Sequence, residues 1–340
     1  MTVGVFVGLA TLDVVQHVEE LPGPNEKVTA RWQGVAAGGP ALNAAVTFAA
    51  LGGVARLVTR VGTGPVADLV RADLAACGVE LVDVDPGHSP SVSSVTVHVG
   101  TGDRQIVSTD GGSAAELSAV TAAMTGAFAD ADVVEVDGHH PDLAALCLPL
   151  AGQLPRVLDA GRWKPQMAWL VPACTDVVCS ADFVVPRGDP TGDDGTRDDG
   201  RGDDRTGDDV LEEVLALGPV DGSGVRLAAV SAGAGPLRWR TRDDAGEVTV
   251  DAVDVVDTLG AGDVLHGAYA YARAARPTAG PADRLRFAAD VASRSCRERG
   301  TRSWLRGLRG ATLAGPTPTP KPTPEPRRPV VPGPHAGESR

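Results

Sequence analysis

Aromatic residues are scarce, at 4% of 340 residues, so ring stacking cannot organise the interior. Ala, Val, Leu and Gly must do the packing, as in tightly layered α/β proteins. A surplus of basic charge is also missing: the formal charge of -13 gives no general attraction to nucleic acid or to an anionic membrane. No apolar run approaches the length of a membrane span, and no basic segment precedes an apolar core near the N-terminus. A soluble, cytoplasmic protein is therefore expected. The five cysteines, Cys77, Cys147, Cys174, Cys179 and Cys296, lack metal-type or redox-type pairing and read as reduced thiols. The fragment from Gly4 to Gly8 lacks the spacing of a dinucleotide fingerprint, which weighs against a Rossmann dehydrogenase.

A hydrophobic content of 43% is enough for a large core. The most informative stretch is Asp257-Thr258-Leu259-Gly260-Ala261-Gly262-Asp263, preceded by the β-prone run Val253 to Val256 and followed by an Ala-rich helical segment. A helix N-terminus presents unpaired N–H groups and the positive end of its dipole, so the amides of Gly260, Ala261 and Gly262 suit an anion such as a transferring phosphoryl group. Asp263 would be repelled by that anion unless it takes a proton from the attacking hydroxyl. Taken without its neighbours, Asp263 could equally be a helix cap.

The rest of the chain reads as alternating strands and helices, the pattern of a doubly wound, mostly parallel sheet. Val3 to Ala10 reads as a first strand delivering Asp13 to a ligand crevice, or Asp13 is a turn residue. Residues 14–35 and 92–108 each read as a hairpin, and Gly39 and Asn43 open a long helix. Further strands are expected at Val54 to Val61, Val79 to Val84, Val133 to Val136, Arg156 to Leu158, Asp176 to Val178 and Arg226 to Val230. Helices are expected at Val66 to Cys77, Leu143 to Gln153, Pro165 to Val171, Leu211 to Leu217 and Ala282 to Arg299. His139 and His140 read as crevice lining rather than a metal pair, because adjacent side chains diverge.

Together these stretches resemble the PfkB/ribokinase family of carbohydrate kinases, nearest to its ketohexokinase and sulfofructose kinase branches. The resemblance runs from about Val3 to Trp304. It implies a ribokinase-like α/β fold whose two hairpins build a small β lid. It also implies ATP-dependent phosphorylation of a sugar hydroxyl, with Asp263 as general base and the Gly260, Ala261 and Gly262 amides as anion hole. By the same matches Asp13, Gly39, Asn43 and Arg104 contact the sugar, while Ser231, Gly233, Gly235, Thr258 and Cys296 contact ATP. A homodimer through the lid and a Mg2+ cofactor are implied too. The family's Asn-x-x-Glu magnesium motif is absent, since Phe183-Val184-Val185-Pro186-Arg187 stands in its place, so the metal ligands are unknown. A non-catalytic sensor of sugar or nucleotide, and a nucleoside kinase, are the alternatives. Pro40 and the lack of a sulfonate-reading Arg near Asp137-Gly138-His139 leave the sugar open, with a ketose-like one expected.

Residues 188–209 repeat Asp-Asp every five residues among Gly, Thr and Arg, and nine Asp against three Arg predict a disordered acidic insertion. A calcium repeat fits the period poorly. The expected organisation is a kinase domain over 1–312 carrying this insertion, followed by a disordered Pro-rich tail over 313–340.

Overall fold

The computed structural model describes residues 1–102, 104–109, 111, 117, 119–186, 207–218 and 224–308. Most of the acidic insertion and the whole Pro-rich tail lie outside the described residues. The chain begins with β1 (Val3–Val7), β2 (Thr11–Val18), β3 (Trp32–Gly38), α1 (Pro40–Ala50), β4 (Val54–Thr59), α2 (Pro65–Cys77) and β5 (Val79–Asp83). It continues through β6 (Ser91–His98), β7 (Arg104–Val107), α3 (Ala122–Phe128), β8 (Val133–Val136), α4 (Pro141–Cys147), β9 (Arg156–Ala160), α5 (Met167–Ala173) and β10 (Asp176–Ser180). Then follow α6 (Gly207–Leu217), β11 (Leu227–Ser231), β12 (Leu237–Arg240), β13 (Ala245–Val248), α7 (Ala261–Ala275), α8 (Pro281–Ser295), α9 (Gly300–Ser303) and α10 (Leu305–Leu308).

Two sheets result. The large one has the order β13-β12-β11-β10-β9-β8-β1-β4-β5, parallel throughout except where β12 and β13 pair antiparallel at one edge. Its central strands β1, β8, β9, β10 and β11 are buried on both faces, as parallel strands covered by helices must be. Phe6 of β1 faces a core shared with α1, α2, α7 and α8. Val5 and Val7 face the opposite core against α3, α4, α5 and α6. The small sheet has the order β3-β2-β6-β7, the two expected hairpins being joined by parallel pairing of β2 with β6. Strand order reverses between β1 and β8, and the crevice at such a reversal is where α/β sheets bind ligands.

Several expectations are corrected. The apolar run Val3 to Ala10 is not one strand: β1 stops at Val7 and the chain crosses into the small sheet at Thr11, so Asp13 reaches the crevice from the lid. Val253 to Val256 forms no strand. Val255 and Val256 are 57% and 43% exposed, and the N–H groups of Val256 and Asp257 donate to Cys296 O rather than to a sheet neighbour. The helix expected over Leu143 to Gln153 ends at Cys147 and tightens into a single 3-10 turn over Leu148–Ala151, because Pro149 offers no N–H. α6 starts at Gly207, inside the span expected to be disordered, with Asp208 and Asp209 in its first turn, where the helix dipole favours acidic side chains. α3, β12 and β13 carry too weak a periodicity to have been expected.

The crossing from one sheet to the other is pinned by Asp137, just after β8. Its Oδ2 accepts from Leu9 N at 2.8 Å and from Ala41 N at 3.1 Å, and its Oδ1 accepts from His139 N at 2.9 Å. Burial alone would raise this carboxyl, but His139 and the backbone donors prevail and hold it at about 2. One ionised side chain thus fixes the end of β1, the N-terminus of α1 and the end of β8. Asp137→Ala leaves two buried amides without acceptors and is expected to cost about 3 kcal/mol; a urea midpoint unchanged from wild type would contradict this.

Candidate active site

The signature loop enters α7 through Gly260, whose φ of 75° lies in the left-handed region. It is this conformation, rather than space, that requires glycine: a Cβ there would stand 3.2 Å from Thr301 Cγ2 and 3.6 Å from Asp263 Oδ2, contacts that a small side-chain shift relieves. Ala261 N donates to Thr258 O at 3.2 Å, which closes the turn and engages one of the three expected anion-hole amides. Among the described residues the Gly260 and Gly262 N–H groups have no protein acceptor. Together they form the donor pair at the helix N-terminus.

Asp263, in the first turn of α7, accepts a hydrogen bond from Asn43 Nδ2 on Oδ2 at 2.7 Å. The two meet because α7 lies close against α1 at Gly267, where a Cβ would come within 2.3 Å of Ala44 O. Asn43 Oδ1 in turn accepts from Arg302 Nη1 at 3.0 Å, and Arg302 also donates to Asp73 Oδ2 at 2.9 Å and Ala37 O at 2.7 Å. This network orients the amide so that its NH2 faces Asp263. Burial above all, then the nearby Asp159 carboxylate, raises the Asp263 carboxyl to about 6, with Asn43 and His266 acting in the opposite sense and Asp13 adding to the rise. A carboxylate so poised can take a proton near neutral pH.

Asp13 sits on β2 opposite Ser93 of β6, buried, with Thr11 Oγ1 donating to its Oδ1 at 2.7 Å. Burial raises its carboxyl, while Thr11, Ser93 and Arg302 pull the other way. Gly39 caps α1, and a Cβ on it would meet Leu9 O at 2.3 Å. Asp13, Gly39, Asn43 and Asp263 are therefore gathered around the sheet-crossing. Arg104, exposed on β7, reaches the signature loop instead, donating to Thr258 Oγ1 at 3.2 Å.

The small sheet closes on this loop at two further points. His17 Nε2 of β2 lies 3.1 Å from Asp257 Oδ2, both side chains being buried. Asp257 also accepts from Leu259 N at 2.9 Å and Gly300 N at 2.9 Å. Leu259 packs against Val15, Val95 and Val97 of the small sheet, the cluster that Trp32 also covers.

The residues expected at the nucleotide are more dispersed. Ser231 Oγ donates to Cys179 O at 3.3 Å. Gly233, with φ of 56°, and Gly235, donating to Ala232 O at 2.8 Å, form the turn into β12. Among the described residues this turn makes no hydrogen bond to the signature loop. Cys296 ends α8, and its carbonyl receives Val256 N at 2.8 Å and Asp257 N at 3.2 Å. Its thiol is half-buried and pushed up, chiefly by burial. A surface pocket beside it is lined by Ala252, Val253, Asp254, Val256 and Arg297.

Sequence reasoning missed Asp137, Arg302, His17, Glu135, Asp159 and His266. No local motif marks them, because each acts through a partner distant in sequence. Among the described residues no group of three or more His, Cys, Asp or Glu side chains could hold a metal ion, and no helix is long and apolar enough to cross a membrane.

A mostly parallel sheet, a small second sheet over its switch point, and an Asp at a glycine-led helix start define a ribokinase-like kinase. The chain belongs to the pfkB family of carbohydrate kinases, whose profile matches residues 1–161 and 202–306, and it is accordingly an ATP-dependent carbohydrate kinase. Solved structures agree in fold. A candidate ribokinase from Agrobacterium tumefaciens is 26% identical, with 91% of this chain and 97% of that chain covered and a TM-score of 0.71. Ribokinase from Arabidopsis thaliana, solved with ribose and ATP, is 19% identical over 91% and 99% of the two chains, with a TM-score of 0.65. A nucleoside kinase from Methanocaldococcus jannaschii is 15% identical over 91% and 98%, with a TM-score of 0.63.

Glu135 of β8 is fully buried and neither carboxylate oxygen has a hydrogen-bond partner. Burial first, then Asp137, Asp159 and Asp263, raise it well above its ordinary 4.5. The folded protein therefore holds this proton more tightly than the unfolded chain does. The resulting stability is fully present below the ordinary value and is lost as pH rises through the folded one. Glu135→Gln, neutral at every pH, is expected to lose less melting temperature than wild type between about pH 6 and pH 9. Parallel thermal melts across that range, showing equal losses, would contradict the assignment.

Proposed function

We propose that this kinase phosphorylates a hydroxyl of a ketose-like sugar, with Asp263 as the general base. The supporting observation is the Asp263–Asn43 pair at the N-terminus of α7, where a carboxyl raised to about 6 lies beside unpaired backbone donors. In this reading the acceptor oxygen attacks the γ-phosphorus of ATP, the bond to the ADP oxygen breaks, and the hydroxyl proton passes to Asp263. The Gly260 and Gly262 amides, and Ala261 as its turn opens, hold the phosphoryl oxygens. Asp13, Gly39 and Asn43 orient the sugar, and Arg104 joins them from the lid. Ser231, Gly233, Gly235, Thr258 and Cys296 line the ATP side.

The kinase domain spans 1–312 in this proposal, the small sheet acting as a lid that excludes water, the competing nucleophile. The outer surface of that sheet exposes Val35, Val92 and Val107, an apolar surface that supports pairing of two lids in a homodimer. Magnesium, which would neutralise charge between the β- and γ-phosphates, finds no protein cage among the described residues. We draw no step through it.

The fold shared with a nucleoside kinase keeps nucleosides as the second acceptor class. The sensor reading is disfavoured by the intact Asp263. ADP release measured with magnesium over a panel of ketoses, aldoses and nucleosides separates all three, and turnover confined to nucleosides would overturn the sugar assignment. Because Asp263 must be ionised to accept the proton, kcat/KM is expected to fall as pH drops below about 6. Asp263→Asn should lower kcat by ~100- to 10,000-fold while sparing ATP binding. Turnover within a few fold of wild type would refute the base.

A further inference from the structure

Beside Asp263 lies a second set of charges that the proposed chemistry leaves unused. His266 follows Asp263 by one turn on α7 and is 4% exposed. Its Nε2 faces Val178 O of β10 at 3.2 Å, and its Nδ1 faces Asp159 Oδ2 of β9 at 3.2 Å. The second contact is angled, an ion-pair approach rather than an aligned hydrogen bond, since Nδ1 has no hydrogen-bond partner. Both ring nitrogens nevertheless lie 3.2 Å from an oxygen. A neutral imidazole has one N–H and one lone pair. With the N–H on Val178 O, the lone pair would be set against a carboxylate in a site closed to water. That arrangement is repulsive unless a further proton lies between Nδ1 and Asp159.

The surroundings sharpen the point. Asp263 is faced by Asp13 from β2, by Asn43 from α1 with Arg302 behind it, by Glu135 from β8, by Asp159 from β9 and by His266 on its own helix, with Asp137 acting on Glu135 and Asp159. His139 lies against Asp137 at 3.4 Å. Arg302 serves the Asn43 side, so the groups that offset Asp159 are His266, in contact with it, and to a lesser degree His139.

We propose that His266 and Asp159 share a proton and act as a positioning pair, presenting a charge-neutral partner rather than a bare carboxylate to Asp263 during phosphoryl transfer. This rests on the reading of Asp263 as base. The pair does not touch the reacting atoms. Its effect is to let Asp263 ionise at a pH where the bare charge of Asp159 would otherwise keep it protonated.

Two substitutions should then act differently. His266→Gln leaves Asp159 unneutralised and moves the acid limb of kcat/KM upward by about one pH unit. Asp159→Asn removes the carboxylate together with the proton that neutralised it and leaves the limb near its wild-type position, and the double variant follows Asp159→Asn. The KM for sugar and for ATP should change less than twofold in each. A purely structural role would lower melting temperature and kcat at every pH with the limb fixed, and that outcome, or shifts of the same sign in both variants, overturns the proposal.

Nitrogen NMR of His266 in the wild-type protein near pH 7 tests the pair without using activity. Neither ring nitrogen should show the signal of a free lone pair, and one that does sinks the shared proton even if the variants fail to fold. Failure of the base reading looks different: Asp263→Asn then turns over normally while the His266 nitrogens still report the shared proton.

Discussion

A buried carboxylate, Asp137, decides where the chain leaves one sheet for the other. Its oxygens collect the amides of Leu9, Ala41 and His139, three segments far apart in sequence. Hydrogen bonds to an ionised acceptor in a poorly hydrated interior are among the strongest available to a protein. Gly8, where a Cβ would lie 2.1 Å from Asp137 Oδ1, is small because this carboxylate occupies the space. The crossing in turn sets the start of α1, and hence the position of Asn43 over the N-terminus of α7. The catalytic geometry is therefore a consequence of topology: the strand order reverses between β1 and β8, and the site grows from the ends of those two strands.

The region around Asp263 is crowded with acid. Glu135 and Asp159 act on it directly and Asp137 acts on both of them, and no two of the three solve the problem of burial in the same way. Asp137 stays ionised through backbone donors, Glu135 keeps its proton, and Asp159 has a histidine. Asp263 is intermediate, held by one amide and by the balance of the others. The general-base role proposed for Asp263 needs such graded environments, because a single isolated carboxylate at its ordinary value would be too weak a base near neutral pH.

Much of this was legible in the chain itself. The alternation of apolar strands with Ala-rich helices gave the layered fold, and the string ending at Asp263 gave the helix start and its glycine turn. Periodicity failed where local pattern and tertiary role diverge. Val253 to Val256 has the composition of a strand, yet its backbone is held by the end of α8 rather than by a sheet neighbour. The run Val3 to Ala10 reads as one strand because nothing local records that a carboxylate from 128 residues away receives Leu9 N. Asp159 and His266 escaped notice for the same reason. An Asp inside an apolar strand and a His inside a helix look like single polar intrusions until the fold sets them face to face.

The lid and the signature loop are physically one unit. His17 of the small sheet contacts Asp257 of the loop before α7, Leu259 of that loop packs on the Val15, Val95 and Val97 cluster of the sheet, and Arg104 and Thr258 are joined as well. Acceptor recognition and phosphate handling therefore cannot be inherited as separate modules. A descendant that remodels its lid to admit a different acceptor also alters the packing and charge against Asp257, and must readjust the loop in concert. Grafting a relative's lid onto this core would need its partner residues carried across together, because the seam between the two parts runs through the interactions themselves.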